Sequence, residues 1–340
     1  MSKPAVRSFL LLFLFLAVLC MLSLYAGAAR IPFRDVSHIL FMGGSGRESW
    51  DFIVLKSRLP QMLTALLSGA ALSCSGLMLQ TLFRNPLADP GILGISSGAS
   101  LGVAIVILLL GGSVTLSQMT LTSSLSVLLA AFVGAMAVLL LILALSRIIR
   151  SALVLLVAGI MIGYLASSLI SILNFMATAD GLQSYIIWGL GNFTSVSMDM
   201  MPLYAVSILL GLLLSLMLVK PLNALCLGED YARNLGFSVG RIRLMLLMVS
   251  GVLAAVTTAF CGPVTFIGLA VPHLSRRLLC SADHRYLLPH SMLLGSVLAL
   301  VCSLLSALPI FPGGVLPLNA LTPLLGAPVV LWVLLRGRVG

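Results

Sequence analysis

Residues 125–145 read LSVLLAAFVGAMAVLLLILAL, a run without a charged residue or a proline. A bilayer hydrocarbon core about 30 Å thick needs about 20 consecutive apolar residues in a spanning α-helix. A barrel strand would instead alternate apolar and polar positions over a much shorter length. The stretch therefore predicts a transmembrane helix. Outward from it, further apolar runs occupy Phe9–Ala29, Arg58–Leu82, Leu93–Gly111, Leu153–Met176, Leu203–Val219, Ile242–Phe260, Val264–Leu278, Leu287–Ala307 and Asn319–Leu335. Together they predict an all-α polytopic membrane protein with about ten spans, forming one transmembrane domain over residues 1–340. Lys3 and Arg7 precede the first run, which is longer than a usual signal-peptide core. It is read as an uncleaved first helix with its N-terminus inside.

Composition agrees. The chain is 60% apolar and 8% charged, with mean hydropathy +1.19, whereas soluble domains carry about 25% charged residues. A water-soluble body of this size could not hide so much apolar surface. A soluble enzyme, a disordered chain and a secreted disulfide scaffold are excluded. The net charge of +10 bears on topology, because Lys and Arg collect on the cytoplasmic side. Ten spans starting inside place 14 Lys and Arg in the cytoplasm, from Lys3 to Arg338, and 5 outside: Arg30, Arg34, Arg47, Lys56 and Arg58. Both termini are then cytoplasmic. No basic patch alternates with aromatic residues, so nucleic acid is not an expected partner. Cys20, Cys74, Cys226, Cys261, Cys280 and Cys302 are scattered without metal-ligand spacing, and neither zinc nor a disulfide is expected.

The inventory of reactive groups narrows the function. The chain has three lysines, Lys3, Lys56 and Lys220, none in a phosphate-binding Gly-x-x-x-x-Gly-Lys-Ser/Thr loop. If ATP drives it, another polypeptide hydrolyses the ATP. Asp, Glu, Lys and Arg are nearly absent from the apolar runs, which argues against a proton- or sodium-coupled carrier acting alone. That carrier, relying on a residue such as Asn174, and a membrane scaffold that moves nothing remain the alternatives. No constellation of nucleophile and base marks an enzyme. Ser68-Gly69-Ala70-Ala71 in the second run is echoed by Ser250-Gly251 and Ala254-Ala255 in the seventh, a weak sign of an internal repeat of the kind transporters use.

An ordered series of motifs is more specific. Arg58-Leu59-Pro60 opens the second run, and Ser68-Gly69-Ala70-Ala71-Leu72, Gly76 and Gln80 follow. Then come Arg84-Asn85-Pro86-Leu87-Ala88-Asp89-Pro90-Gly91 and Leu93-Gly94-Ile95-Ser96-Ser97-Gly98-Ala99. The two Pro-containing turns must break a helix, and Ser96 and Ser97 can cap the next one. Gly262-Pro263, Phe266-Ile267-Gly268-Leu269, Val271-Pro272-His273, Asp283-His284-Arg285 and Leu325-Gly326-Ala327-Pro328 complete the set. Nearly the whole chain thus resembles the FecCD-type permeases, the membrane subunits of ABC importers for iron-siderophores, haem, cobalamin and related chelates. The resemblance implies the type II ABC importer permease fold and a homodimer. It also implies two ATPase chains, a periplasmic or lipoprotein substrate-binding protein, and a metal chelate as cargo. It implies no cofactor, no metal centre and no catalysis by this chain, and it places the protein in the cell inner membrane.

The resemblance also assigns roles. The cytoplasmic stretch 220–241 becomes the coupling loop, with Glu229, Asp230, Ala232, Arg233 and Gly236 as ATPase-docking residues. Ser151, Ala152 and Leu153 fall at the cytoplasmic gate. Trp188, Gly191 and Asn192 fall at an external re-entrant helix on the translocation pathway. Arg58 matches an external arginine that docks the binding protein. The family usually has a second arginine where Gln61 stands, and an Asp-x-x-x-Arg pattern where Ser303 and Ala307 stand. Arg47 and Lys56 are the available substitutes. Phe311-Pro312-Gly313-Gly314 adds an apolar external turn. His273 and the Met198, Met200, Met201 cluster are read as packing residues rather than haem ligands.

Overall fold

Small residues decide the centre of the molecule. Leu59–Phe83 carries Ser68, Gly69, Ala70, Ala71, Ser73, Cys74, Ser75 and Gly76 in one unbroken helix, and most of its residues are buried. Such a helix has no polar face to offer water or headgroups, so other helices surround it. In the computed structural model, which describes residues 3–27, 29, 31–111, 115–116, 119–120, 123–149, 151–307 and 316–336, this helix is the fourth of fifteen. Arg30, Arg150, Arg338 and the Phe311–Gly314 turn lie outside the described residues.

In chain order the helices are α1 (Lys3–Tyr25), α2 (Phe33–Met42), α3 (Glu48–Phe52), α4 (Leu59–Phe83), α5 (Ile95–Ala104), α6 (Ser123–Ile148), α7 (Ala152–Met176) and α8 (Ala179–Gly189). They continue with α9 (Met201–Met217), α10 (Val219–Leu227), α11 (Glu229–Asn234), α12 (Val239–Cys261), α13 (Ile267–Leu279), α14 (His284–Ala307) and α15 (Leu318–Arg336). π-Helical turns at Ile53–Arg58 and Ile105–Leu109 join α3 to α4 and extend α5. A short hairpin pairs Thr115–Leu116 with Met119–Thr120.

Helices α9, α12, α13 and α14 pack around α4, and α1 lies against α14. Helices α5, α6 and α7 form a second group, joined to the first through α12. The two helices that share the Ser-Gly-Ala pattern, α4 and α12, are the most enclosed spans, and Ser75 Oγ on one donates to the Ser250 carbonyl on the other at 2.8 Å. Backbones meet where Cβ atoms are missing. A Cβ on Gly69 would sit 2.7 Å from the Cβ of Ala299 and overlap the Gly295 carbonyl, and one on Gly98 would sit 2.6 Å from the Gly134 carbonyl oxygen.

Every apolar run is helical, but not every one reaches membrane length. Among the described residues, six helices are long and apolar enough to cross, and α9 with α10 makes a seventh if their 49° bend is taken within one span. Ile95–Leu109 and Leu318–Trp332 are shorter, and α13 has 13 residues. At 1.5 Å per residue, 13 residues reach about 20 Å of the roughly 30 Å required. The turns at Gly94 and at Gly262-Pro263 shorten these segments. The polar stretch between the first two apolar runs contains α2, α3 and the π-turn, and Lys56 and Arg58 sit in that turn. Nor do Ser96 and Ser97 cap α5. Gly94, at φ +79°, precedes it with no side-chain cap, while Ser96 Oγ lies 3.4 Å from Thr258 Oγ1.

Candidate functional site: two polar ends of an apolar bundle

The segment expected to couple to an ATPase forms a compact helical turn. Gly228 at φ +132° ends α10 and starts α11 directly. Ala232 is fully buried beneath it. Its amide donates to the Gly228 carbonyl at 2.9 Å, that of Gly236 to Arg233 at 2.9 Å, and that of Phe237 to Ala232 at 3.0 Å. Gly236 takes φ +84°, a conformation that favours glycine and stops the helix. Glu229 and Asp230 lie in the first turn and Arg233 in the last, matching the helix dipole. Arg233 pairs with Asp230 at 2.9 Å and with Glu229 at 3.5 Å, both at the surface. The distinctive contact is behind them. Arg243, on the first turns of α12 and nearly buried, bonds Glu229 at 3.2 Å and the Ile149 carbonyl at 3.2 Å. Glu229 thereby ties α11 to α12 and to the end of α6.

A second network lies under α10. Asn223 Nδ2 donates to Asp283 at 2.7 Å, and Asn223 Oδ1 accepts the His284 amide at 2.8 Å. His284 Nε2 lies 2.9 Å from Thr81 Oγ1 at the end of α4. Burial pushes the Asp283 carboxyl up, but the Arg285 amide, Asn223 and the neighbouring positive charges outweigh it and leave it below the usual range. Arg276 donates to Gln80 Oε1 at 2.7 Å, and Arg84 to the Leu225 carbonyl at 3.1 Å. His273 Nε2 lies 2.7 Å from the Pro86 carbonyl oxygen, so it fastens the Asn85-Pro86 turn. In that connection the Asp89 carboxylate accepts the Gly91 amide at 2.8 Å, yet burial raises it to about 6.

At the start of α7, Ser151 Oγ accepts the Val154 amide at 3.4 Å as an N-cap. Ala152 is partly covered, and Leu153 is 65% exposed. α7 has 25 residues, so this set lies nearly 40 Å from the helix's other end, beyond which α8 begins. The structure does not bring Ser151–Leu153 together with Trp188–Asn192. At the C-terminus of α8 the open carbonyls of Gly189 and Leu190 are taken by Asn319 of α15, through Nδ2 at 3.3 Å and the amide at 3.0 Å. Gly191 at φ +66° crosses the Gly262-Pro263 turn, where a Cβ would sit 2.9 Å from the Pro263 carbonyl oxygen. Asn192 Oδ1 accepts from Thr194 and Ser195, closing its own turn. Trp188 and Asn192 line a cavity of about 780 Å³ together with Thr178, Asp180, Ser184 and Ser197. Those four polar residues were missed in the sequence, because isolated Ser and Thr between apolar runs look like ordinary turn residues.

The binding-protein set divides. Arg47 is exposed and stacks over Trp50 at 4.2 Å, in a loop held by Asp51, which accepts from the Ser45 amide and hydroxyl at 2.8 Å each. Lys56 is exposed, 3.7 Å from Asp199. Arg58, expected as a docking arginine, is instead 6% exposed. Its guanidinium donates to the carbonyls of Leu24 at 3.0 Å, Tyr25 at 2.8 Å and Ala29 at 2.5 Å. A helix end leaves its last carbonyls unsatisfied, and Arg58 fills that role for α1. Gln61, at the position of the second family arginine, donates to Ser303 at 3.2 Å, so two of the departures noted in the sequence face each other.

An apolar helical bundle with broken helices and polar, hydrogen-bonded ends defines a multi-pass membrane protein of the transport class. The chain belongs to the FecCD transport family, whose model matches residues 14–336. It is similar to the hemin transport system permease protein HmuU of Yersinia pestis, with 37% identity over 96% of this chain and 95% of that one. It is also similar to the vitamin B12 import system permease protein BtuC of Klebsiella pneumoniae, with 36% identity over 96% and 92%. A solved structure assigned to the metal-chelate type of ABC transporter, in an inward-facing conformation, superposes with a TM-score of 0.82 at 29% identity, covering 96% of this chain and 97% of that one.

Proposed function

We propose that this chain is the permease subunit of an ABC importer of the inner membrane, and that its cargo is a metal chelate: an iron-siderophore or haem first, cobalamin next. The observation that carries this reading is the match across almost the whole chain to permeases that import haem and vitamin B12. Two copies would enclose a pathway, with Ser151–Leu153 near its cytoplasmic gate and Trp188, Gly191 and Asn192 near its outer end. Two ATPase chains would receive the Glu229–Gly236 segments. A rigid helix suits that task, since it transmits displacement instead of absorbing it. Closure of the ATPases on ATP would move these segments and open one gate at a time. The chain itself would carry out no catalytic step. A substrate-binding protein would meet Arg47 and Lys56, with Arg58 acting as the fastener of α1.

The test is uptake into proteoliposomes containing this chain, its ATPase and its binding protein, with haem, a ferric siderophore and cobalamin compared with and without ATP. ATP-dependent uptake of one of them is expected. Uptake that is equal without ATP overturns the reading in favour of a stand-alone carrier.

A further inference from the structure

Beside the coupling segment, the end of α6 and the start of α12 frame a cleft of about 580 Å³ lined by Arg147, Arg233, Arg241, Arg243 and Glu229, with Phe237 and Leu244 as its apolar wall. The acidic groups at hand are already committed: Glu229 to Arg243 and Arg233, and Asp230 to Arg233. Arg147 and Arg241 are exposed and make no ion pair among the described residues, so the cleft has an excess of positive charge. The amides of Val239, Gly240 and Arg241 open a 23-residue helix at the same place, and Ser238 does not cap them with its side chain. They add the positive end of a helix dipole.

What lies beside the charge identifies the ligand. Along α12, Met245 and Met248 follow Arg241 at helical spacing and are exposed. Along α6, Leu140 lies two turns from Arg147 on the same face and is exposed too. Each arginine therefore tops an exposed apolar stripe of its helix. Free phosphate would use the charges and leave the stripes unused. A phospholipid would use both, its phosphate between the guanidinium groups and its acyl chains along α6 and α12. Basic clefts between transmembrane helices on the cytoplasmic side are suited to anionic headgroups.

We propose that this cleft binds the phosphate of an anionic phospholipid of the cytoplasmic leaflet, next to the Glu229–Arg243 contact that anchors the coupling helix. The inference needs the membrane reading of the chain but neither its cargo nor its ATPase, so failure of the uptake experiment would leave it standing.

The test is native mass spectrometry of the purified full-length protein, equilibrated with equal amounts of phosphatidylglycerol and phosphatidylcholine of matched chains. Preferential retention of phosphatidylglycerol is expected. Arg147→Gln with Arg241→Gln should weaken that preference roughly 10- to 30-fold, while Arg147→Lys with Arg241→Lys should keep most of it, which separates lost charge from lost fold. Arg34→Gln, at the other end of the molecule, should leave the lipid preference unchanged. Equal retention of the two lipids, or an undiminished preference in the double glutamine variant, overturns the proposal. So does displacement of the lipid by inorganic phosphate in excess, which would identify a free-anion site instead.

Discussion

Glu229→Gln tests how α11 is held. The side chain pairs with Arg243 at 3.2 Å, where the arginine side chain is 9% exposed and the glutamate 36%. At an effective dielectric near 20, unit charges at that distance attract by about 5 kcal/mol, before desolvation is subtracted. Glutamine keeps an acceptor but loses the charge, and Arg243 keeps the Ile149 carbonyl at 3.2 Å. A net loss of about 1–2 kcal/mol of local order is expected. In the regime where exchange follows the opening equilibrium, that is roughly 5- to 30-fold faster hydrogen exchange. It should be read at the amides of Ala232, Leu235, Gly236 and Phe237, all hydrogen-bonded within the segment. Asp230→Asn is the control. Asp230 occupies the same first turn, but it is 93% exposed and its partner Arg233 is 60% exposed. Such surface pairs contribute about 0–1 kcal/mol, so exchange should rise less than about fivefold. Equal exchange in the Glu229→Gln variant and the parent would refute the idea that the Arg243 contact anchors this helix.

Other outcomes follow from the same coordinates. Gly69→Ala forces α4 away from α14 and should cost about 1–3 kcal/mol, whereas Gly240→Ala meets nothing within 4 Å and should be neutral or slightly stabilising; thermal unfolding in detergent compares them. Asp89, raised from 3.8 to about 6, holds its proton more tightly in the folded protein than in the unfolded chain. Its contribution is therefore full below pH about 4 and lost as pH rises toward about 6, a loss of up to about 3 kcal/mol; Asp89→Asn should flatten a stability profile across that window. Arg58→Gln should lower the unfolding temperature by freeing three carbonyls, at a cost of about 1–3 kcal/mol. Arg47→Glu should leave stability unchanged and slow association with the binding protein; reversed effects for this pair would return Arg58 to the docking surface.

Where the chain crosses a membrane could be read residue by residue, because hydropathy and helix length act locally. Leu125–Leu145 lies within α6, and Arg58–Leu82 almost coincides with α4. Glu229, Ala232 and Gly236 are singled out by resemblance as part of a loop, and the structure gives that stretch a short helix, Glu229–Asn234, followed by Gly236 at φ +84°. Arg58 shows what local reading cannot reach. Next to Leu59-Pro60 it looks like any interfacial arginine, and only the approach of the α1 terminus, 29 to 34 residues earlier, turns it into a buried carbonyl clamp. Arg243 is the same case on the other side: its partner Glu229 lies 14 residues away, across a turn whose direction depends on Gly236. Sequence by itself determined membrane class, helix content and family, all of which depend on neighbours along the chain. Tertiary structure alone decided which helices are long enough to span, which arginines are buried or exposed, and which polar groups share a cleft, because burial and charge pairing depend on atoms that folding brings in from elsewhere in the chain.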